Sequence, residues 1–505
     1  MFNQPVDDDF AQLISSGGDN RLLLGPTGLN RYGSGPNAGS KMQFGSCTCS
    51  SPSPRALDAA HRLYLELKQH PDAALLASEH FQIVRNQLRH LLELPEDVAI
   101  ALPPSGTDVE MLVLALAASK TEHPIVNVVV GPAEVGSGTS DASAGRYFDS
   151  LTPRGNRVTP RRALNTGLTS RVSIAHVNVR NAFGQPLPLE EIDREVMRTV
   201  IAAAATGAHV VVHLVAHSKT GIHAPSLNAI ESIKSALKDD VTIVIDAAQG
   251  RLATNAYRIA LQNDCLVAFT GSKFFGGPSF CGALFIPNSQ RPGKHLTQLP
   301  SNFEEFFNRD TIPATWQSWK TSCSQWTNQG LLLRWTAAIA EMEAFYNIES
   351  DISEVIHSVF ANGVTNAISS SRSCAMLPVE TDAESNLPSI SAYESVFAFE
   401  VNNAKQNPLS KTQLKTLHQQ LNVNTKQGFL IGQPVQLGQN CCVIRIALGA
   451  PTISNVAVDS RFGKTFDHRL TWLRENIRSC FEAIDALVLT DKQFQDSTFA
   501  EIVKL

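Results

Sequence analysis

The apolar positions of this chain form two alternating patterns from about residue 56 onward. Apolar residues three and four positions apart predict helices, and these segments cover 55–69, 77–94, 108–119, 189–207 and 228–239. Near-continuous apolar runs predict buried strands, and these cover 124–131, 171–179, 208–217, 241–247, 265–271 and 281–287. Because buried strands alternate with helices, residues 60–330 are predicted to form a large α/β domain, with a mainly parallel sheet sandwiched by helices.

The pattern changes after residue 330. A long amphipathic helix is predicted over 330–348, and shorter apolar runs over 395–401 and 441–448 are then mixed with helical segments over 411–422 and 470–488. This mixture is typical of an α+β arrangement. Residues 331–505 are therefore predicted to contain a linking helix and a smaller C-terminal α+β domain.

The N-terminal segment, residues 1–59, has no such periodicity. Its part from 16 to 55 is rich in Gly, Ser, Pro and Asn, a composition that indicates irregular chain. Two interpretations carry equal weight: a plain linker, or an arm that closes over a site on a rigid scaffold.

Composition and charge exclude several classes of partner. The chain has 505 residues, 43% of them hydrophobic and 18% charged, and 42 basic against 47 acidic residues give a net charge of −5. This balance gives no reason to expect a nucleic acid or an anionic membrane as partner. No apolar run is long enough to span a bilayer, and the acidic N-terminus does not resemble a signal or transit peptide. The expected compartment is the cytoplasm.

The nine cysteines have irregular spacing, which argues against a disulfide framework. Cys47 and Cys49, and likewise Cys441 and Cys442, are too close together for a zinc site, and no matching second pair follows either of them. No metal is expected. The segment 136–146 is rich in glycine and serine but lacks the lysine and the spacing of a phosphate loop.

Three candidate groups fall at predicted strand ends, where parallel α/β sheets bind ligands. Residues 105–107, Ser-Gly-Thr, begin a helix and suit an anion such as phosphate, although a simple N-cap explains them equally well. Asp246 ends a buried strand and needs a cation or several donors, which a structural ion pair would also provide. Lys273 stands among apolar residues, where an ammonium loses its charge more readily, unless its head group reaches water.

Together the three groups suit pyridoxal phosphate. That cofactor needs an amine for its aldehyde, an anion opposite its ring nitrogen and donors for its phosphate. The carboxylate keeps the ring nitrogen protonated through a charge-assisted hydrogen bond. On this interpretation Lys273 forms a Schiff base with the cofactor, and Asp246 contacts the opposite end of the same ring.

These residues resemble those of fold-type I pyridoxal-phosphate enzymes, most closely the class V aminotransferase superfamily. The resemblance covers about 60–490 and rests on five segments: "SGTDVE", "HSKTGIHAPSLNAI", "DAAQG", "TGSKFFGGPSFCGALFIP" and "VIRIALGAP". It implies the PLP-dependent transferase fold, pyridoxal 5'-phosphate as cofactor, Lys273 as catalytic residue and Arg445 as the group that binds the substrate carboxylate, a task suited to a planar guanidinium. The cofactor-binding residues it implies are Ser105, Gly106, Thr107, Ser218, Asp246, Gln249, Thr270 and Lys273.

The sequence departs from that family at several positions. Ser272 precedes the lysine where the family often has histidine, and Ser218 stands where many relatives have asparagine. Glu134 and Val135 lie where a residue that stacks on the cofactor ring is expected. His217 is either an acid/base group or a packed imidazole. Gln433 stands where one group of desulfurases has its nucleophilic cysteine, although Cys47 or Cys49 of the N-terminal segment could approach the site.

The resemblance implies an enzyme that acts at the α-carbon of an amino acid as its small-molecule substrate. An aminotransferase is the preferred expectation, because transamination needs no additional nucleophile. The alternatives are a lyase of the same superfamily, which cleaves C–S or C–C bonds, decarboxylates or acts like a desulfurase, and a catalytically silent binding protein. The resemblance also implies a homodimer, in which residues 276–280 approach the neighbouring subunit's cofactor.

Overall fold

A computed structural model describes residues 7–36, 41–48, 50–378, 386–423, 428–439 and 441–495. Its largest element is a seven-stranded sheet with the strand order β2-β8-β7-β6-β5-β3-β4. These strands are β2 (Ala99–Ala101), β3 (Ile125–Val130), β4 (Val172–Val177), β5 (His209–Val215), β6 (Val241–Ala247), β7 (Leu266–Thr270) and β8 (Gly282–Ile286).

The sheet is mainly parallel, as predicted. Strands β4, β3, β5, β6 and β7 run in one direction, and β8 is antiparallel to both of its neighbours. In the register, Val215 lies opposite Asp246, and Asp246 lies opposite Ala268. The carboxyl ends of β5, β6 and β7 therefore meet at one edge of the sheet, where α/β folds bind their ligands.

Helices cover both faces of this sheet. Helix α4 packs on the face formed by Val211 and Val244, and the opposite face, with Val212 and Ile243, belongs to the larger core. The helices of this region are α4 (Gly106–Lys120), α5 (Thr139–Ser143), α6 (Thr166–Thr169), α7 (Leu189–Ala204), α8 (Leu227–Leu237) and α9 (Thr254–Gln262). The sequence of α4 is mostly apolar, and thirteen of its residues are buried. Both features are typical of a helix enclosed by its neighbours.

The C-terminal region forms a five-stranded sheet together with a short N-terminal strand, β1 (Met42–Phe44). The strand order is β1-β11-β12-β10-β9. The strands contributed by this region are β9 (Cys374–Met376), β10 (Val396–Val401), β11 (Phe429–Gln436) and β12 (Cys442–Ala447). The helices are α10 (Gln317–Ser322), α11 (Gln329–Tyr346), α12 (Ser350–Ser370), α13 (Lys411–Val423), α14 (Ala450–Val458) and α15 (Phe466–Thr490). The predicted α+β character is confirmed, whereas α12 was not predicted.

The N-terminal segment contributes to both parts of the molecule. It contains α1 (Asp8–Ile14) and β1 (Met42–Phe44), and α2 (Pro54–Gln69) and α3 (Ala73–Leu91) follow. Strand β1 pairs in parallel with β11, so the prediction of irregular chain throughout 16–55 is wrong at 42–44. The buried Arg334 of α11 anchors the segment: its guanidinium donates to the carbonyls of Ile14, Ser16 and Gly17.

None of the helices in the described ranges is both long enough and apolar enough to cross a bilayer.

Candidate active site

Lys273 lies in the turn between β7 and β8, and packing on both sides holds its backbone in place. The N–H of the adjacent Phe274 donates to the carbonyl of Gln249 at 3.2 Å, and the Phe274 ring packs against Phe345 with 5.1 Å between ring centroids. The N–H of Gly276 closes the turn on the Lys273 carbonyl at 3.1 Å. A lysine among aromatic residues is thus fixed at the end of β7, with its side chain half-buried.

Burial lowers the pKa of Lys273 from its ordinary value, and the nearby Asp246 carboxylate acts in the opposite direction. Arg445 lowers this pKa further. The lysine and the aspartate, 27 positions apart in the chain, are thus close enough for their charges to interact. A larger neutral fraction of the amine makes Lys273 a better nucleophile.

Asp246 lies near the end of β6, and two buried titratable groups lie close to it. Its Oδ1 accepts from the Ala248 N–H at 3.1 Å. Glu110 of α4 lies 3.4 Å from Nδ1 of His213 on β5. Burial raises the pKa of Glu110 well above its ordinary value, with a second contribution from Asp246, and burial lowers the pKa of His213 to about 4. Burial therefore favours the uncharged form of each group.

The N-terminus of α4 packs directly on the ends of β6 and β7. A Cβ at Gly106 would lie 3.0 Å from Cγ2 of Thr270 and 3.7 Å from Cβ of Ala248, so this close approach depends on glycine. The Thr270 hydroxyl donates to the Ala248 carbonyl at 2.7 Å. Thr107 and Thr270 thus border one helix N-terminus, which favours an anion.

Ser105 is the N-cap of α4, as its simpler interpretation predicted. Its Oγ accepts from the N–H groups of Thr107 and Asp108, both at 3.2 Å, and donates to Oδ2 of Asp108 at 2.5 Å. Burial raises the pKa of Asp108 to about 7. The other carboxyl oxygen of Asp108 is buried and has no hydrogen-bond partner among the described residues.

Ser218 belongs to a buried network around Glu134. The Ser218 hydroxyl donates to Oε2 of Glu134 at 2.9 Å, and the Thr220 hydroxyl donates to Oε1 at 2.8 Å. Arg180 completes the network with an ion pair of 2.7 Å to the same carboxylate. Glu134 is therefore a structural acid that joins three segments, which accounts for a carboxylate where an aromatic residue was expected.

Val135, the other residue at the expected stacking position, is aliphatic and buried. It lies in a cluster with Val129 and Val215, and Ile174 packs against it. Val215 is the register partner of Asp246, so this cluster adjoins the strand that carries Asp246.

His217 is a packed imidazole rather than an exposed acid/base group. Its Nε2 lies 2.8 Å from Oγ of Ser389, and its ring centroid lies 4.1 Å from that of His223. Burial lowers the pKa of His217 well below its ordinary value, and the neighbouring His223 and Arg251 act in the same direction. A neutral imidazole held by two neighbours agrees with the structural interpretation.

Arg445 reaches the site from the smaller sheet. Arg445 lies on β12 opposite Gly432. A Cβ added at Gly432 would lie 2.9 Å from Cβ of Arg445 and 3.2 Å from its Nε. Its Nη1 donates to the Lys219 carbonyl at 3.1 Å, while Nε is buried without a hydrogen-bond partner in the described part of the chain. An unsatisfied buried donor on a guanidinium is costly, so Arg445 is suited to binding an anion.

One residue that the sequence did not assign, Lys219, and one that it considered, Cys47, interact with Lys273. Lys219 interacts with Arg445, Glu134 and Lys273, and burial lowers its pKa to about 8. The buried Cys47 comes close enough to Lys273 to raise the pKa of that lysine. Cys47 is part of the N-terminal segment, which supports the interpretation of that segment as an arm over the site. Cys49 and its predicted approach to the site lie outside the described residues.

Arg251 joins the three parts of the chain that form the site. It is 1% exposed, and its Nη1 donates to Oγ of Ser395 at 2.7 Å. Its Nη2 donates to Oγ of Ser46 at 2.6 Å and to the Leu448 carbonyl at 2.9 Å. The guanidinium carbon also lies 5.0 Å from the centroid of the Phe274 ring. One side chain thus connects the lysine turn, the arm and the smaller sheet.

We expect Arg251→Met to lower the free energy of unfolding by about 3 kcal/mol, because it removes three charge-assisted hydrogen bonds and leaves a buried carbonyl unpaired. Arg258→Met is the matched control, since Arg258 is an exposed arginine of α9. Urea unfolding of both variants, followed by circular dichroism, measures the difference. Equal midpoints for the two variants would contradict the joining role of Arg251.

Among the described residues, no group of three or more His, Cys, Asp or Glu side chains could hold a metal ion.

Comparison with known proteins identifies the fold. No protein-family model and no curated protein sequence matches the chain. The solved structure of the cysteine desulfurase CsdA from Escherichia coli is 15% identical, with a TM-score of 0.51, and the match covers 88% of this chain and 95% of that one. The cystine C–S lyase C-DES, solved with cysteine persulfide, is 14% identical, with a TM-score of 0.52 and coverages of 87% and 99%.

A third structure, Oryza sativa TDC with PLP, is 12% identical, with a TM-score of 0.51 and coverages of 90% and 84%. The matches cover 87–90% of this chain and 84–99% of the three others. The fold that the resemblance implied, a mainly parallel α/β sheet with a smaller α+β part, is therefore confirmed by these solved structures, one of which contains PLP.

Proposed function

We propose that this chain is a pyridoxal-phosphate-dependent enzyme that acts at the α-carbon of an amino-acid substrate, with Lys273 as the attachment amine and transamination as its reaction. The observation that carries the proposal is the interaction of the half-buried Lys273 with Asp246, next to a helix N-terminus. The cofactor, when bound, supplies an electron sink that stabilises negative charge on the substrate α-carbon.

The donor set fits that cofactor at both ends. The N-terminus of α4 beside Thr107 and Thr270 is suited to the phosphate, and the contact of Gly106 with Thr270 leaves no room there for a larger residue. Asp246 is suited to the ring nitrogen, because a carboxylate strengthens the hydrogen bond from a protonated nitrogen. Gln249 remains a proposed contact to the ring oxygen or aldehyde side. The Ser218 hydroxyl, to which the resemblance gives the same role, instead donates to Glu134 and accepts from the Thr220 and Ile222 N–H groups.

Lys273 would also move the substrate α-proton. When it is not joined to the cofactor, its free amine would be a base held in place by the Phe274 and Gly276 contacts. Burial lowers its pKa, which raises the fraction of neutral amine available to accept a proton near neutral pH. Arg445 would hold the substrate carboxylate through its unsatisfied Nε. This contact orients the substrate and so determines which bond of its α-carbon faces the cofactor.

A lyase that cleaves a C–S bond is the second candidate, because the Cys47 thiol interacts with Lys273. A thiol in this position could accept sulfur from a cysteine-like substrate, a role that transamination does not need. The proposal also includes a homodimer, which rests on the resemblance of residues 276–280 to the segment that approaches the neighbouring cofactor.

An amino-acid panel with the reconstituted chain tests the reaction. We expect a visible absorption band on addition of pyridoxal phosphate, and its loss when the right amino acid is added. Transamination predicts one equivalent of keto acid and of pyridoxamine phosphate in a single turnover. Cysteine and cystine belong in the panel, because proteins with this fold include a cysteine desulfurase and a cystine C–S lyase.

Sulfur release that Cys47→Ser abolishes would favour the lyase instead. A band that forms and then responds to no amino acid would favour a catalytically silent binding protein. No band at all would contradict the proposed function.

A further inference from the structure

Two cationic side chains adjoin the site where the larger and smaller sheets meet. Arg445 extends from β12, and its Nη1 donates a hydrogen bond to the main-chain carbonyl of Lys219 at 3.1 Å. Lys219 follows β5, and its ammonium interacts with the charges of Arg445 and Lys273. The two residues are therefore direct neighbours, and both lie close to the proposed attachment amine.

Within the described part of the chain, neither cation has a carboxylate partner. The Nζ of Lys219 donates only to the Ala133 carbonyl, at 3.3 Å. The nearest acid, Glu134, is held by Arg180 at 2.7 Å and by two hydroxyls. Lys411 is exposed and adds a further positive charge. In this region the positive charges therefore outnumber the carboxylates that are available to neutralise them.

The phosphate of the proposed cofactor does not compensate Lys219. The phosphate end of the site is formed by Gly106 and Thr270, whereas Lys219 lies beside Arg445 of the smaller sheet. A substrate with a single carboxylate would pair with Arg445 and leave Lys219 without an anion. Because two adjacent cations without a carboxylate partner repel each other, a second anion on the substrate is expected.

We propose that Arg445 and Lys219 form a two-anion subsite, and that the substrate class is an amino acid with a side-chain carboxylate or sulfinate. This inference rests on the proposed function, in which Arg445 binds the α-carboxylate. Lys219 then binds the side-chain anion and discriminates acidic from neutral substrates.

Binding to the reconstituted enzyme tests the subsite, with dissociation constants read from the change in cofactor absorbance. Aspartate, glutamate and cysteine sulfinate are the acidic ligands, and alanine is the neutral one. We expect the best acidic ligand to bind about 10-fold or more tightly than alanine, and Lys219→Met to remove that preference. Lys219→Arg should retain much of it, because the charge remains.

The matched control is Lys411→Met, which removes an exposed lysine of the same charged region. It should change the ratio of the two affinities by less than about 3-fold, because a solvent-exposed charge is well screened. Equal weakening of acidic and neutral ligands by Lys219→Met would overturn the proposal, since a purely structural lysine acts on all ligands alike. A wild-type chain that does not prefer acidic ligands would overturn it as well.

Calorimetry on the cofactor-free chain separates the two proposals. Succinate, with two carboxylates, should bind more tightly than butyrate, and the difference should be lost in Lys219→Met. If pyridoxal phosphate fails to bind, the proposed function fails, and the succinate measurement alone then decides the subsite. If the cofactor binds but succinate and butyrate bind equally, the subsite fails and the proposed function stands.

Discussion

Lys273→Ala is expected to abolish turnover of the reconstituted enzyme, with a fall of about 10³-fold or more. The variant loses both the amine that attaches the cofactor and the base that moves the α-proton, and a positioned base alone contributes about 10²–10⁴-fold. Steady-state rates with the best amino acid from the panel, measured at saturating cofactor, give the size of the effect.

The same variant should fold normally, which separates a chemical role from a structural one. The turn around Lys273 is held by backbone bonds and by Phe274 packing, and these contacts do not involve the amine. Because burial lowers the pKa of Lys273, the folded chain binds this proton less tightly than the unfolded chain does. The lysine therefore destabilises the fold at low pH, and this cost is lost as the pH rises from the folded pKa of Lys273 to its unfolded pKa, so stability rises with pH between those two values.

Thermal unfolding of Lys273→Ala at pH 7 should accordingly give a midpoint equal to or above that of the wild type. Lys273→Arg serves as the control, because it retains a cation but has no nucleophilic amine. A small primary amine in the buffer should restore part of the activity of Lys273→Ala and none to the arginine variant. Wild-type turnover by Lys273→Ala would contradict the assignment.

Asp246→Asn is expected to lower turnover by about 10²–10³-fold, with cofactor attachment retained. The amide carries no charge, so it cannot hold the ring nitrogen of the cofactor in its protonated form, and charge stabilisation of this kind is usually the largest single catalytic contribution. Burial favours the uncharged form of Glu110, so this acid is a poor substitute for the lost charge. Steady-state rates at saturating cofactor measure the loss.

A second readout of Asp246→Asn does not depend on turnover. The Asp246 carboxylate raises the pKa of Lys273, so its removal should lower that pKa and move the pH midpoint of cofactor attachment to lower pH. The control is Asp239→Asn, an exposed acid two positions before β6, which should leave both rate and midpoint unchanged. An Asp246→Asn variant with wild-type rate and midpoint would show that the carboxylate faces something other than the cofactor.

The sequence predicted those parts of the site that depend on strand ends. Asp246, Thr270 and Lys273 each follow an apolar run, and a parallel sheet brings the ends of such runs to one edge. Their meeting is a consequence of local periodicity, which can be read directly from the chain. The N-terminus of α4 is predictable for the same reason, because an apolar helix follows a Ser-Gly-Thr turn.

The remaining groups depend on contacts between distant segments, which periodicity does not specify. Lys219 resembles any loop lysine until Arg445, more than two hundred positions away, binds its carbonyl. Arg251 follows the aspartate segment and looks like a surface cation, yet it is buried against Ser46 and Ser395. Strand β1 has only three residues, so its pairing with β11 leaves little pattern to detect.

Glu134 shows how a departure from a family pattern can be misinterpreted. Its position suggested a change at the cofactor ring, whereas the structure pairs it with Arg180 and two hydroxyls. The buried acid needed a cation, and the partner comes from beyond β4, a pairing that residue spacing alone does not reveal. Val135, the next residue, is the one that packs at the strand ends beside Asp246.

Borohydride reduction of the full-length chain incubated with pyridoxal phosphate, followed by peptide mass spectrometry, tests the central claim most directly. Hydride converts an imine between lysine and cofactor into a stable secondary amine, so the attachment point is recorded as added mass. The account predicts one equivalent of cofactor on the peptide that contains Lys273 and none in Lys273→Ala. Cofactor found on Lys219 or spread over surface lysines, with the Lys273 peptide unmodified, would contradict it.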